Sequence, residues 1–405
     1  MASQWRTDKW FVSPWNYLPE VRANLNLPSR VEIHDVTLRD GEQQAGIIFT
    51  KDEKIRIAEA LAEVGVHRIE AGMPAVSRED TEAVKEIARR KLGPKIFAFA
   101  RCMKEDVDRA LECGVDGVVV EIPSSVHMIE RAYRWPLEKA IERSVEATRY
   151  AHENGLYTVF FPIDFSRADF DWVMNLIETV AKEGHMDALA VVDTFGGLAP
   201  HAVPWLVQNI KRRINKPLEV HFHDDFGMGV ANTIMAIAAG AEVVHTTITG
   251  LGERAGNTPY EELVLALLTM YGLDMGLRTE KLTAVSRLVQ QITGQEVPWN
   301  RAVVGKYLTK IESGIIAGWY RNVYESEPTL LMPYVPELVG QEPADVVLGK
   351  NSGSESISIW LSRIGRQASE EQVQQLVDKV KERAYAKHGL VDVNEFRQLV
   401  DEVLG

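Results

Sequence analysis

Two hydrophobic periods alternate along the first 250 residues of this chain. Short runs rich in β-branched residues, almost continuously apolar, are each followed by a longer stretch with apolar residues at helical spacing. Near-continuous apolar strands that alternate with amphipathic helices are typical of a parallel sheet covered by helices. The pattern predicts strands at residues 31–38, 68–73, 95–101, 117–123, 158–164, 187–194, 218–223 and 243–250.

Local signals support the helices between these strands. Thr50 precedes Glu53 by three residues and Ser77 precedes Asp80 in the same way, which is a capping-box pattern. Glycines that fit helix C-caps follow several of the helical stretches: Gly65, Gly114, Gly155 and Gly240. Eight strand–helix units in about 250 residues favour a (β/α)8 TIM barrel, with a doubly wound open sheet as the alternative.

The pattern changes after the predicted barrel. Residues 281–345 contain five prolines, a density that interrupts helices and suits a linker. Residues 346–405 return to helical spacing, with apolar stripes that predict a small helical subdomain packed on itself. We therefore predict a catalytic barrel at 1–280, a linker subdomain at 281–345 and a helical subdomain at 346–405.

Composition narrows the function classes. The chain has 405 residues, 45% of them apolar, and a net charge of -13, which argues against a nucleic-acid or anionic-membrane partner. Its two cysteines, Cys102 and Cys113, form no CxxC pair, so a disulfide framework and a thiolate zinc site are excluded. Neither a transmembrane run nor the apolar core of a signal peptide is present, and we expect a cytoplasmic location.

Polar segments follow six of the eight predicted strands. In a TIM barrel the C-terminal ends of the strands meet at one rim, where active sites lie. A single polar strand end is usually a solvated turn, but six that converge predict a polar active site. These segments are residues 35–44, 70–74, 121–127, 193–197, 221–225 and 250–257.

A metal site is the first chemistry that these segments predict. His221 and His223 occupy alternate positions of one strand, so both imidazoles point to the same face and can hold one ion. The alternative is a pair of structural histidines at a strand end. Asp40 supplies a carboxylate, and Asn257 could add a carbonyl oxygen. Such ligands accept Mg²⁺, Mn²⁺ or Zn²⁺.

A divalent ion at this position suits the polarisation of a substrate carbonyl. Arg39 could stabilise the oxyanion that develops there, although a salt bridge with Asp40 or Glu70 is the alternative. A 2-oxo acid that binds through its keto and carboxylate oxygens would place its carboxylate near the Thr194 hydroxyl. Further candidates for substrate binding at the rim are Gln43, Glu70 and Arg167.

Four of these segments carry a family resemblance. Residues 37–43 (TLRDGEQ), 69–74 (IEAGMP), 221–227 (HFHDDFG) and 252–257 (GERAGN) resemble those of the metal-dependent Claisen-condensing enzymes. That family includes 2-isopropylmalate, homocitrate and citramalate synthases and, more distantly, the hydroxymethylglutaryl-CoA lyases. Residues 348–353 (LGKNSG) are similar to the family's LGKHSG segment.

The resemblance implies a TIM barrel with linker subdomains, a divalent ion at Asp40, His221 and His223, and a role for Arg39 on the reacting carbonyl. In the synthases an acyl-CoA, usually acetyl-CoA, loses a proton and its enolate attacks a 2-oxo acid; thioester hydrolysis then releases CoA. The GERAGN loop, which contains the catalytic candidate Glu253, sides with the synthases, because the lyases carry a reactive cysteine there. The resemblance also implies a homodimer in which one chain's linker covers the other's barrel mouth.

Three positions depart from the family pattern. Ile316 stands where the synthases have the histidine of an SGIH segment, and an isoleucine cannot move a proton. Asn351 replaces the LGKHSG histidine. Residues 161–167, at the end of the fifth strand, are more apolar than the family's serine-and-acid segment and one residue shorter. The predicted pocket therefore differs from that of a standard homocitrate or isopropylmalate synthase.

These departures leave the proton-transfer group and the reaction direction open. His127 is the best candidate for taking over proton transfer, since a rim histidine can titrate near neutral pH; Glu121, Tyr320 and Tyr324 are the others. The leading hypothesis is condensation. The alternatives are a lyase or aldolase that uses the same metal, and a non-catalytic relative that binds metal and ligand. We also expect none of the feedback control that many isopropylmalate synthases obtain from an added leucine-binding domain.

Overall fold

The chain folds into two compact units. A computed structural model describes residues 4–405, and contacts between residues divide the chain into Leu18–Val297 on the one hand and the segment up to Tyr17 together with Pro298–Gly405 on the other. The predicted boundaries at 280/281 and 345/346 stay a prediction.

Eight parallel strands form a closed barrel in the larger unit. Each strand pairs with the next along the chain, and the first pairs with the last, from Glu32 opposite Val243 to Asp35 opposite Thr246. The predicted TIM barrel is confirmed, and the open-sheet alternative is wrong. The strands are β1 (Glu32–Asp35), β2 (Arg68–Glu70), β3 (Lys95–Arg101), β4 (Gly117–Pro123), β5 (Tyr157–Ile163), β6 (Ala188–Asp193), β7 (Leu218–Phe222) and β8 (Val243–Thr246).

Strands β1 and β8 end earlier than the sequence predicted. The first was expected to run three residues further and the last four, but after Asp35 the chain turns, and the amides of Arg39 and Asp40 donate to the Val36 carbonyl at 3.1 and 2.9 Å. The two turns are joined where the Ile248 amide donates to Thr37 Oγ1 at 2.9 Å. Because these residues leave the sheet, they form the loops that line the barrel mouth.

Helices connect and cover the strands. The predicted start at Thr50 is confirmed, since Thr50 and Glu53 form a reciprocal capping box, and Ser77 caps the next helix through the Asp80 amide. The helices of this unit are α1 (Pro19–Arg22), α2 (Lys51–Val64), α3 (Arg78–Arg90), α4 (Lys104–Cys113), α5 (Leu137–Glu153), α6 (Phe170–Glu183), α7 (Val203–Arg213), α8 (Gly229–Ala238), α9 (Tyr260–Tyr271) and α10 (Leu282–Thr293).

The smaller unit is built from the N-terminal segment and the last third of the chain. Main-chain bonds join Phe11 to Pro333 and Val335 to Lys9, each at 2.9 Å. Its elements are β9 (Lys310–Ile311), α11 (Gly314–Val323), β10 (Asp345–Val346), α12 (Ser354–Arg363), α13 (Glu370–Lys387) and α14 (Val393–Leu404). Strands β9 and β10 pair in parallel.

The C-terminal helices share one apolar core, which confirms the predicted stripes. Leu376, Val377 and Val380 of α13 pack with Phe396 and Leu399 of α14, and all five are buried. Throughout residues 4–405, none of the helices combines the length and the apolar content that crossing a bilayer requires.

Replacing Phe396 with alanine tests this core. The Phe396 side chain is fully buried and meets Trp360 edge-on at 5.6 Å, so Phe396→Ala should lower the free energy of unfolding by about 3–5 kcal/mol. Urea denaturation followed by circular dichroism measures the change. Val393→Ala, at an exposed position of the same helix, is the control and should cost no more than about 0.5 kcal/mol. Equal losses in both variants would contradict the assigned core.

Candidate functional site

One carboxylate and two imidazoles meet at the C-terminal end of the barrel. His221 lies in β7 and His223 directly after it, and their Nε2 atoms are 3.3 Å apart. Asp40 Oδ2 lies 3.3 Å from the first of these nitrogens and 3.9 Å from the second. Two nitrogens bound to one ion at about 2.1 Å each lie about 3.0–3.4 Å apart, so the two histidine nitrogens fit a common ion, and Asp40 lies beside them.

Ring orientation separates this group from two other clusters of potential metal ligands. Because an imidazole lone pair lies in the ring plane, an ion shared by two rings lies in both planes. The rings of His221 and His223 are inclined by 70°, and their Nε2 atoms face each other at 3.3 Å. The other clusters, His34–Glu219–His245 and His152–His185–Asp187, have imidazoles stacked at 29° and 10°. Stacked rings direct their lone pairs along more nearly parallel planes, which suits one shared ion less well.

Burial and charge give the ligand atoms the required protonation states. Burial lowers the pKa of His221 to about 3 and also lowers the pKa of His223, so both imidazoles are neutral at pH 7. Burial alone would raise the pKa of Asp40, but Arg39 and His221 hold it well below its usual range. Neutral histidines and an ionised carboxylate are the forms that bind a cation.

Asn257 closes the group from the loop after β8. Its Nδ2 donates to Asp40 Oδ1 and to the Leu251 carbonyl, both at 3.0 Å, while Oδ1 is buried without a partner among residues 4–405. The loop depends on Gly256, which has a φ of +87°, because a Cβ there would lie 1.8 Å from the Gly250 oxygen. Asn257 Oδ1, the predicted carbonyl ligand, is therefore free to bind an ion. The loop that holds it requires glycine at position 256.

Arg39 lies beside the group and is held on three sides. Nη1 donates to Asp40 Oδ2 at 2.8 Å and to Gln43 Oε1 at 3.2 Å, and Nε donates to Glu70. The guanidinium stacks 4.1 Å over the Phe99 ring. Nη2 is buried and lacks a partner among the described residues. The structure thus contains the salt bridges that were the alternative interpretation, and it leaves one donor of Arg39 unused.

Charged groups continue from Arg39 into the barrel interior. Glu70 is fully buried, and its second oxygen lies 3.4 Å from His34 Nε2. Glu219 accepts from His245 at 2.8 Å and from Arg68 at 2.7 Å. Burial would raise the pKa of both glutamates, but Arg39 and His34 hold the pKa of Glu70 at about 2. His245 and Arg68 do the same for the pKa of Glu219. Glu70 therefore links Arg39 to the charged groups of the barrel interior.

A second polar cluster lies where β4 and β5 end. Asp164 is fully buried, and it accepts from Ser125 Oγ at 2.6 Å and from Arg167 Nε at 2.6 Å. His127 Nε2 lies 2.9 Å from the same carboxylate, and its side chain is 48% exposed. Ser125 also contacts Nε2, so the arrangement is not a Ser-His-Asp triad, in which serine and aspartate use opposite ring nitrogens.

The remaining predicted residues surround this mouth. Thr194 Oγ1 accepts from the Asp164 amide at 2.7 Å, which leaves its hydroxyl hydrogen free to donate. Gln43 is exposed, and its amide nitrogen is not used by Arg39. Glu253 is 54% exposed and lies 3.6 Å from its neighbour Arg254, so it does not join the buried group.

The structure thus places the predicted residues in two clusters. Arg39, Gln43, Glu70, Asp40, His221, His223 and Asn257 form one, and His127, Arg167 and Thr194 form the other with Asp164. Sequence reasoning did not select Asp164 as a site residue. Its signal was a carboxylate directly after β5 and three residues before Arg167, a spacing that favours an ion pair.

Comparisons with known proteins agree on the family. A family model described as HMGL-like matches residues 30–289. The chain is similar to homocitrate synthase AksA of Methanopyrus kandleri, 39% identical over 90% of each chain. It is also similar to 2-isopropylmalate synthase of Methanocaldococcus jannaschii, 37% identical over 94% of this chain and 73% of the relative. A crystal structure of HMG-CoA lyase from Bacillus subtilis shares the fold, with a TM-score of 0.61 and 23% identity over 67% of this chain and 96% of the lyase.

The buried glutamates predict how stability depends on pH. The pKa of Glu70 is about 2 when folded, against about 4.3 for an ordinary glutamate. The stability from its ion pair is therefore complete above the ordinary value and is lost as pH falls from there toward 2. We expect Glu70→Gln to lower the free energy of unfolding at pH 7 by about 3–5 kcal/mol and to flatten its decline below pH 4.5, as urea titrations at several pH values would measure.

The matched control is Glu105→Gln, a substitution of the same kind at an exposed position of α4. It should leave both the stability at pH 7 and the acid slope unchanged. An acid slope that is as steep in Glu70→Gln as in the wild type would contradict the pairing with Arg39.

Proposed function

This chain belongs to the HMGL-like family, and we propose that it catalyses the divalent-metal-dependent Claisen condensation of an acyl-CoA, preferably acetyl-CoA, with a 2-oxo acid. The observation that carries the proposal is the convergence of Asp40, His221 and His223 beside Arg39. The relatives named homocitrate and 2-isopropylmalate synthase support it. The product would be a 2-alkylmalate or homocitrate-type hydroxy acid, together with CoA.

Asp40, His221 and His223 would hold the metal, with Asn257 Oδ1 as a further ligand. Their fit rests on the facing imidazole nitrogens, the neutral imidazoles and the unpartnered amide oxygen. A bound Mg²⁺, Mn²⁺ or Zn²⁺ would supply Lewis-acid polarisation of the substrate carbonyl.

Arg39 would stabilise the negative charge that develops on the keto oxygen. Its Nη2 is a buried donor without a partner, and its remaining donors are anchored, so it needs no reorganisation during the reaction. Glu70 would contribute by fixing this guanidinium. The Thr194 hydroxyl, the Gln43 amide and Arg167 would bind substrate, since each has a donor facing the mouth or solvent.

His127 is proposed as an acid–base group. Asp164 holds its Nε2, so the other ring nitrogen is the one left for proton exchange. Ile316 lies half-buried in α11 and cannot take that role. Glu253 is retained as a catalytic candidate because its carboxylate is exposed on the loop after β8.

The second candidate is a metal-dependent C–C lyase or aldolase that acts on a hydroxy acid or hydroxyacyl-CoA. It is favoured by Ile316, because the departure removes a proton-transfer group that the condensing reaction uses in the synthases. The same ligands and Arg39 would serve the reverse direction.

Two broader expectations remain proposals. The family resemblance suggests a homodimer, which light scattering coupled to size-exclusion chromatography would test. A cytoplasmic location, expected from the lack of a signal-peptide core, is the second, and cell fractionation would test it.

The condensation is tested by CoA release. With Mg²⁺ or Mn²⁺ and acetyl-CoA, we expect release that depends on one member of a panel containing pyruvate, 2-oxoisovalerate, 2-oxoglutarate and glyoxylate. Removal of metal with a chelator should abolish it. Asp40→Ala should lower turnover by at least about 100-fold, because it removes a ligand and an acceptor of Arg39, and should weaken Mn²⁺ binding in calorimetry.

Asp8→Ala, an exposed aspartate in the smaller unit, is the control and should behave like the wild type. Full activity in the presence of chelator, or undiminished Mn²⁺ affinity in Asp40→Ala, would overturn the assignment of the metal group.

The lyase alternative makes a different prediction. A panel of 2-hydroxy acids and hydroxyacyl-CoA thioesters, incubated with metal and assayed for 2-oxo acid or aldehyde, would detect cleavage. Cleavage without any CoA release in the condensation assay would favour the lyase over the synthase.

A further inference from the structure

Glu121 points into the barrel on the level of the candidate metal group. It lies in β4, in register with Arg101 of β3 and with Phe161 of β5. Register partners in parallel strands project from the same face of a sheet. Phe161 faces the barrel interior, where its ring lies 5.2 Å from the His221 ring and 5.8 Å from the Arg39 guanidinium. The Glu121 side chain is therefore on the face that lines the reaction space.

The Glu121 carboxylate is unengaged, whereas its charged neighbours are paired. Within residues 4–405 it makes no hydrogen bond and no ion pair. Arg101 is held by both oxygens of Asp106, at 2.7 and 3.0 Å, and Arg39 is held by Asp40 and Glu70. This half-buried carboxylate is therefore left open to substrate, because the neighbouring arginines are held by other acids.

Its surroundings make Glu121 a stronger base than an ordinary carboxylate. Burial raises its pKa, and the negative charges of Asp106 and Glu253 raise it further, while Arg39 and Arg101 oppose the change without cancelling it. Burial raises the pKa of Tyr133, and the negative charge of Glu121 raises it further. A raised pKa in a mouth lined by a metal group is typical of proton-transfer residues.

We propose that Glu121 accepts the proton from the α-carbon of the acyl-CoA. This inference rests on the proposed condensation. A Glu121 oxygen takes the proton, and the C–H electron pair becomes the enolate. The enolate then forms the new C–C bond with the keto carbon of the 2-oxo acid, and the keto π-electrons move to its oxygen, which Arg39 faces.

This assignment supplies the base from the same chain and the same barrel. Because Glu121 would remove the α-proton, the reaction would need no base at position 316, where this chain has isoleucine. His127 lies on the exposed rim with Nε2 held by Asp164, and it is left for the later proton transfers of thioester hydrolysis.

The test is the exchange of the acetyl-CoA methyl protons with D2O, which mass spectrometry detects. The exchange is measured in the presence of metal, with and without each 2-oxo acid of the panel. Glu121→Gln keeps the shape but removes the base, and should slow exchange and turnover by about 10²–10⁴-fold. Glu121→Asp should retain part of both. Glu105→Gln is the control and should match the wild type.

A rescue experiment separates proton transfer from a structural role. Formate added to Glu121→Ala should restore exchange in proportion to its concentration, which a merely structural defect would not allow. In the wild type, exchange should rise with pH through a limb above the ordinary glutamate range, and this limb should be absent from Glu121→Gln. Should the variants fail to fold, a wild-type exchange rate that shows no rising limb above the ordinary glutamate range overturns the proposal.

The outcomes distinguish this proposal from the proposed function. Turnover in the wild type with undiminished exchange in Glu121→Gln overturns the role of Glu121 and leaves the condensation intact. Exchange that depends on Glu121, without C–C bond formation for any 2-oxo acid, supports Glu121 and counts against the condensation. Absence of both exchange and CoA release in the wild type overturns both.

Discussion

The buried ion pairs of Arg39 are the interaction on which the candidate site depends. One guanidinium joins Asp40 of the candidate metal group to Glu70 of the barrel interior. Removing either acid would leave charge uncompensated in a region that excludes water, so the three side chains are held as a unit. This arrangement keeps Asp40 ionised and leaves one buried donor of Arg39 without a partner among the described residues. Electrostatic preorganisation of this kind is a large contribution to catalysis.

The barrel supplies the rigidity that these charges need. Parallel register places Arg101, Glu121 and Phe161 in adjacent strands on one interior face. Phe161 packs against the His221 ring, and Phe99 packs beneath the Arg39 guanidinium. The aromatic side chains exclude water from the charged groups and strengthen their interactions. Loops at the strand ends then add Asn257 and Asp164, whose backbones are set by bonds to neighbouring loops.

Much of the fold was predictable because it follows from local patterns. Strands β3 and β4 have the predicted bounds, and the cap at Thr50 forms as expected, since hydrophobic period and capping depend on a few consecutive residues. The ends of β1 and β8 were wrong because an apolar run does not reveal where a chain leaves its neighbour. The pairing of Asp164 with His127 was missed because the partners lie 37 positions apart on different loops.

The sequence by itself determined the chemistry that is available: the barrel, the paired histidines on one strand face, Asp40 and Arg39, and the absence of a histidine at position 316. These are properties of residue type and period, which local sequence encodes. Only the tertiary structure decided which nitrogens face each other, that Glu70 lies behind Arg39, and that Glu121 has no partner. Those facts depend on strand register and barrel closure, which bring together side chains that are distant along the chain.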